Sequence, residues 1–139
     1  AVGNTISHTN LDGSGDGANL DTGDGAIDVP TGVVLDPASN HIYWANHGGN
    51  TIWRANLDGT GDPLQIDTSG ATVSGPFGLA IDPDTNSIYW SNYIGNTISR
   101  ANLDGTGQYQ IDVVLTAHVT PSRLRHFQCG GKRQETPRQ

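Results

Sequence analysis

The sequence predicts an all-β fold made of repeated four-stranded antiparallel units, and three observations carry that expectation. The first is a repeat. Pro30-Thr31-Gly32-Val33-Val34-Leu35-Asp36-Pro37, Ile42-Tyr43-Trp44-Ala45-Asn46, Gly49-Asn50-Thr51-Ile52 and Ala55-Asn56-Leu57-Asp58-Gly59 recur as Pro76-Phe77-Gly78-Leu79-Ala80-Ile81-Asp82-Pro83, Ile88-Tyr89-Trp90-Ser91-Asn92, Gly95-Asn96-Thr97-Ile98 and Ala101-Asn102-Leu103-Asp104-Gly105. Each landmark moves by 46 residues (30 to 76, 42 to 88, 57 to 103), and the back half also precedes both copies, from Gly3-Asn4-Thr5-Ile6 to Asn10-Leu11-Asp12-Gly13. The second is turn chemistry: 19 Gly and 7 Pro in 139 residues, with many Asn, Asp and Thr, punctuate the chain often enough for short strands only. The third is the absence of a 3.6-residue apolar period, which sets helical repeats aside. Four short strands in a unit of about 40–50 residues form a β-propeller blade. A parallel β-helix uses a shorter repeat.

Within one unit the strands follow in order. Val33-Val34-Leu35 is an apolar run between Pro-Thr-Gly and Asp-Pro, which suits a strand buried on both faces. Pro37-Ala38-Ser39-Asn40 is a turn. His41 to Trp44 is a second strand, rich in aromatic and β-branched residues. Two Gly make Asn46 to Asn50 a tight connection to a third strand, Thr51 to Leu57. There Trp53, Ala55 and Leu57 alternate with Ile52, Arg54 and Asn56, so the first set defines the more apolar face. Asp58-Gly59-Thr60-Gly61 turns into a weaker fourth strand, Pro63 to Asp67. The organisation expected is therefore a half blade over residues 1–29, blades over 30–75 and 76–113, and an irregular tail over 114–139. The chain would hold an incomplete propeller, either as a piece of a longer one or as a protomer that closes with other copies.

Charge is uneven. Residues 1–113 carry thirteen Asp against Arg54 and Arg100, a balance of −11; residues 114–139 carry Arg123, Arg125, Lys132, Arg133 and Arg138 against Glu135, a balance of +4. An acidic body argues against a nucleic-acid partner, which needs clustered Lys and Arg. No run of about 18 apolar residues is present, so no membrane-inserted helix is expected. The only cysteine, Cys129, lies in the tail and forms no internal disulfide framework.

The Tyr-Trp strands, with Leu35-Asp36-Pro37 and Ile81-Asp82-Pro83 before them and Asn56-Leu57-Asp58-Gly59 and Asn102-Leu103-Asp104-Gly105 after them, resemble the YWTD repeat of low-density-lipoprotein-receptor class B propellers. The resemblance covers roughly residues 3–113, with Ala45-Asn46 and Ser91-Asn92 in place of the motif's Thr-Asp, a departure that looks more like bacterial-type relatives. It implies blades of a six-bladed propeller in an extracellular or periplasmic setting.

Candidate sites are sparse. Tyr43, Trp44, Tyr89 and Trp90 repeat without change, which reads as packing between blades rather than as sugar platforms. Positions that vary between copies carry more information: His47 against Tyr93 and Gly48 against Ile94 in the loop after the Tyr-Trp strand, and Ser7, Trp53 and Ser99 in the third strand. That loop and the one before Pro-x-Gly share a propeller face, and loops on a rigid scaffold carry binding residues. The ligand-binding candidates are therefore Asn46, His47, Trp53, Asn92 and Tyr93. His47 would be the first choice for an acid or base, although the sequence shows it no partner. Asp12-Gly13-Ser14-Gly15-Asp16-Gly17 has the early spacing of a calcium loop, but Gly23 stands where the final Glu belongs. Asp12 and Asp16 are weak calcium candidates, and no cofactor is expected. The reading favours a non-enzymatic module that binds protein or glycan through its loop face and associates with itself through open sheet edges. A propeller lyase or hydrolase is the alternative.

Overall fold

The computed structural model of the protein describes residues 4–20, 22, 27–104, 106 and 109–111. It is all-β over these residues. A two-stranded piece, β1 (Ser7–His8) and β2 (Ala18–Asn19), is followed by a four-stranded sheet of β3 (Pro30–Asp36), β4 (His41–Asn46), β5 (Thr51–Asn56) and β6 (Leu64–Gln65). A second four-stranded sheet contains β7 (Pro76–Asp82), β8 (Ser87–Asn92), β9 (Thr97–Asn102) and β10 (Tyr109–Ile111). All neighbours are antiparallel and follow chain order, so each sheet is a meander, the wiring of a propeller blade. The 46-residue step holds in the register: Trp44 faces Trp53 across β4 and β5, and Trp90 faces Ser99 across β8 and β9. Both inner strands carry the same irregularity, between Pro30 and Val33 and between Pro76 and Leu79. The β1–β2 piece takes the places of β5 and β6 one step earlier, with Ser7 opposite Asn19.

The turns explain themselves from their residues. Asp36 caps a single 3-10 turn over Pro37–Ser39, and Asn40 then enters the left-handed region at φ 57°. Asn86 does the same one repeat later at φ 52°. Asn tolerates this backbone better than most residues. The outer turns repeat a second device. The Asp58 carboxylate accepts the Thr60 amide at 2.9 Å, and Asn56 donates its side-chain amide to the Thr60 carbonyl at 2.8 Å.

Alternation on the strands gives each sheet a Tyr face and a Trp face. Tyr43, Ala45 and Ile52 of the first blade pack on Ile88, Trp90, Ala101 and Leu103 of the second, with Ile66 completing a core between the two sheets. Ile42, Trp44 and Ala55, on the opposite face of the first blade, pack with Trp53, Leu57 and the Ile6, Leu20 and Ile27 of the half unit. Blades thus stack Tyr face on Trp face. Where the two sheets meet, β3 and β7 approach so closely that a Cβ on Gly32 would stand 2.5 Å from the Phe77 carbonyl oxygen, so only glycine fits there. The Thr31 hydroxyl donates to the Pro76 carbonyl at 2.9 Å across the same junction.

The structure corrects the sequence reading in two places and adds to it in a third. Val33 and Leu35 are 47% and 51% exposed, so β3 buries one face and not two. Their repeat equivalents, Leu79 and Ile81, pack against the core between the two blades, whereas Val33 and Leu35 belong to neither core cluster among the described residues. Ile52 is fully buried, so the less apolar face of β5 also contributes to a core. The fourth strand is Leu64–Gln65, shorter than the span from Pro63 to Asp67, although the Ile66 amide still donates to the Ile52 carbonyl at 2.8 Å. Residues 112–139, with Val113-Val114-Leu115 and the basic tail, lie outside the described residues.

Candidate functional site

One face of the stacked blades is built from the loops after β4 and β8 and the segments that lead into β3 and β7. In each blade these two loops are tied together. The His47 amide donates to the Val29 carbonyl at 3.0 Å and the Gly48 amide to Asp28 at 3.2 Å; the Tyr93 amide donates to Gly75 at 2.9 Å and the Ile94 amide to Ser74 at 3.2 Å. A cross-tie joins the blades, since the Gly75 amide donates to the Asn50 side-chain oxygen at 2.7 Å. The loop face is therefore held in place by backbone bonds, which leaves its side chains free to present chemistry.

What it presents is apolar. Phe77, Tyr93 and Ile94 are 60%, 73% and 63% exposed, and the Phe77 and Tyr93 rings lie 6.3 Å apart, tilted by 40°. His47 comes to the edge of this patch. Gly75, at φ 58°, sits between the two loops: a Cβ there would stand 3.2 Å from His47 Nε2 and 2.7 Å from Ile94 Cγ1. A contiguous group of large exposed apolar side chains on an ordered face marks an interaction surface more often than ordinary exposure does.

The sequence candidates divide. His47 and Tyr93 lie on this face. Asn46 and Asn92 do not present themselves to a ligand, since each is 2% exposed. Their side chains hold the blade together instead. Asn92 accepts the Ser74 amide at 2.9 Å and donates to the Thr97 hydroxyl at 2.9 Å and the Ser99 hydroxyl at 3.0 Å. Asn46 accepts the Asp28 amide at 3.1 Å and donates to the Thr51 hydroxyl at 3.2 Å. Trp53 also leaves the site. It stacks on Trp44 with ring centroids 6.3 Å apart, donates its indole N–H to Thr51 at 3.0 Å, and faces the half unit. Phe77 is the member that sequence reasoning missed; Ile94 was noted as varying against Gly48 but not carried into the candidate set. The available signal was the break in the repeat, Thr31 against Phe77 inside otherwise matched Pro-x-Gly segments.

The Asp-Gly turns lie at the other end of the strands. Asp12 accepts the Ser14 amide at 2.8 Å, and Asp104 accepts the Thr106 amide at 2.9 Å and its hydroxyl at 2.7 Å. Hydrogen bonds from the Ser14 hydroxyl and amide to Asp12, and from the Thr106 amide and hydroxyl to Asp104, stabilise the ionised forms and hold both carboxyls below the usual carboxylate range. Among the described residues no three His, Cys, Asp or Glu side chains converge as a metal site. Between the blades on this side, a small cavity of 120 Å³ is lined by Asp36, His41, Tyr43, Arg54 and Asp104 among others. Burial pushes the Tyr43 phenol up, with Arg54 opposing that shift.

No family model and no curated protein matches the chain. Among solved structures it is similar to a chain in the crystal structure of a nidogen/laminin complex, at 26% identity and a TM-score of 0.62. The match covers 76% of this chain and 39% of that one, so this chain spans about two fifths of the length of the solved chain it matches. The relation is one of β-propeller-like blades. No helix among the described residues is long and apolar enough to cross a membrane.

Proposed function

We propose that the chain is a protein-binding piece of a YWTD-like propeller, working outside the cytoplasm and engaging its partner through Phe77, Tyr93 and Ile94. The observation that carries this reading is the adjacent pair of exposed aromatic rings, Phe77 and Tyr93, on the loop face with Ile94 beside them. Aromatic side chains are enriched at protein interfaces because they bury much area with few rotatable bonds. The solved chain it resembles comes from a complex of two proteins, which supports a protein ligand. The tilt of 40° between the rings and the aliphatic Ile94 suit a partner's apolar side chains better than a flat sugar ring.

The test uses a displayed random-peptide library and, in parallel, a glycan array, each probed with the whole chain. Peptides that bind the wild type are expected to lose at least about tenfold in affinity, or ~1.4 kcal/mol, against Phe77→Ser and Tyr93→Ser. The same peptides should bind Leu64→Ser, an exposed change on an outer strand, as they bind the wild type. Peptides indifferent to both loop-face changes, or selective binding to glycans alone, would overturn the proposal.

A further inference from the structure

The polar cavity of 120 Å³ between the two blades lies at the opposite end of the strands from the loop face. Asp36, His41, Tyr43 and Arg54 of the first blade line it together with Asn86 and Asp104 of the second. It adjoins the core that Tyr43 and Leu103 share, so both of its walls belong to the junction of the two four-stranded sheets. The repeat shows what these positions look like when they are closed. In the second blade the Thr85 hydroxyl donates to the Asp82 carboxylate at 2.6 Å. The Arg100 guanidinium donates twice to the Ser87 hydroxyl oxygen, at 3.0 and 2.7 Å, and Ser87 donates in turn to the Thr85 carbonyl at 3.0 Å. Asp82, Thr85, Ser87 and Arg100 stand 46 residues after Asp36, Ser39, His41 and Arg54.

The first blade opens this network. His41 stands where a hydroxyl holds Arg100. The Asp36 carboxylate is 3% exposed and receives the Ser39 amide at 3.4 Å, a long bond for a buried charge. Arg54 acts electrostatically on the Tyr43 phenol of its own blade and on Asp104 of the next. A second contrast lies across the junction. Asn40 donates to Asp58 Oδ2 at 2.8 Å. Among the described residues Asn86 makes no such bond to Asp104, and the Thr106 amide and hydroxyl both go to Asp104 Oδ1. The cavity thus gathers a buried carboxylate, a second carboxylate with Oδ2 left to accept, a guanidinium and an imidazole.

We propose that this cavity binds a small zwitterion, an α-amino acid of the size of glycine or alanine. Arg54 takes the ligand carboxylate, which its planar fork of N–H donors matches. Asp36 and Asp104 take the ammonium, whose three N–H donors suit two carboxylates. Both signs of charge in one site select against simpler ions: a lone anion would meet two carboxylates, and a lone cation would meet the guanidinium. At roughly 30 Å³ per water the space holds about four waters, so a ligand of about five or six non-hydrogen atoms fills it. The site is distinct from the loop face, so it does not depend on the function proposed above.

Amide chemical shifts of the isotopically labelled whole chain test this at neutral pH and fixed ionic strength, against glycine, L-alanine, acetate, methylammonium and L-tryptophan in turn. Glycine or L-alanine should give saturable changes centred on His41, Arg54, Asn86 and Asp104. Acetate and methylammonium, each carrying one end of the zwitterion, should bind at least about tenfold more weakly. L-Tryptophan is too large for the space and should leave these amides unmoved. Arg54→Gln and Asp104→Asn should each weaken glycine or alanine binding by at least about tenfold. Neither side chain is fully buried, so both variants should keep their circular dichroism and cooperative unfolding. Phe77→Ser should leave binding unchanged, which separates this site from the loop face. Changes that stay linear up to about 100 mM of both amino acids would overturn the proposal. So would acetate or methylammonium binding as tightly as the amino acids, or binding insensitive to both Arg54→Gln and Asp104→Asn.

Discussion

Replacing Trp90 with alanine probes the stacking of blades at its centre. Trp90 is buried to 1% exposure in the core between the two four-stranded sheets, together with Tyr43, Ile52, Ile88 and Leu103. Its indole N–H donates to the Thr72 carbonyl at 2.9 Å. Truncating a buried Trp costs about 3–5 kcal/mol through lost transfer energy and the cavity left behind. The lost hydrogen bond adds little beyond that, because the Thr72 carbonyl still accepts the Ser99 hydroxyl at 2.8 Å and is not orphaned. The side chains around it are carried by two hydrogen-bonded sheets, which cannot collapse far, so about 4 kcal/mol is expected. That is a large part of the total for a domain stable by roughly 5–15 kcal/mol. Urea unfolding followed by far-ultraviolet circular dichroism reads it out. With a slope near 2 kcal/mol per molar, the midpoint should fall by about 2 M at unchanged slope. Trp44→Ala should fall comparably, since Trp44 occupies the equivalent place in the first interface. A loss under about 1 kcal/mol at Trp90 would show that the sheets do not share a core, and the stacking argument would fail.

Asn92→Ala removes the acceptor for the Ser74 amide and the donor for Thr97 and Ser99; a buried amide left unsatisfied should lower stability by about 1–3 kcal/mol, read as a urea midpoint. Binding of loop-face peptides by Asn92→Ala should drop only as far as unfolding explains. Acid should destabilise the fold in a defined window. The Asp58 carboxyl is held below its ordinary value of 3.8 by the Thr60 hydroxyl and amide, and Asp104 by the Thr106 amide and hydroxyl. A depressed folded-state value means that the contribution is present above the unfolded value and is lost as pH falls below it. Melting temperatures should therefore hold from neutral pH until the ordinary carboxylate range and decline below about pH 4, with a shallower decline in Asp58→Asn. EDTA should leave the melting temperature unchanged, because no three His, Cys, Asp or Glu side chains converge among the described residues; a fall on chelation that calcium restores would contradict this.

Much of the fold was legible because the repeat is redundant. The Tyr-Trp strands, the Asn-containing turns and the half unit follow from a step of 46 residues, and the register preserves that step from Ser7 to Ile111. What the repeat could not show is what lies across a gap in sequence. Asn46 and Asn92 looked like loop residues because they end the strands, yet their partners Asp28 and Ser74 lie 18 residues upstream and arrive only with the folded loop. Val33 and Leu79 are equivalent in sequence but unequal in burial, since burial depends on the neighbour and not on the strand. Trp53 varies between copies, which suggested binding; its indole instead stacks on Trp44 and packs with the half unit. Phe77 escaped notice because its segment was read as a strand start and not as part of a face.

The footprint of a bound peptide on the chain tests the central claim most directly. Amide chemical shifts of the isotopically labelled protein, recorded with and without the tightest peptide selected from the library, locate the contact residue by residue. The largest changes should fall at His47, Gly75, Phe77, Tyr93 and Ile94, with the outer strands unmoved. Changes concentrated instead at Val33, Leu35 and Ile6, or spread over the Asp-Gly turns, would contradict the loop face as the binding surface.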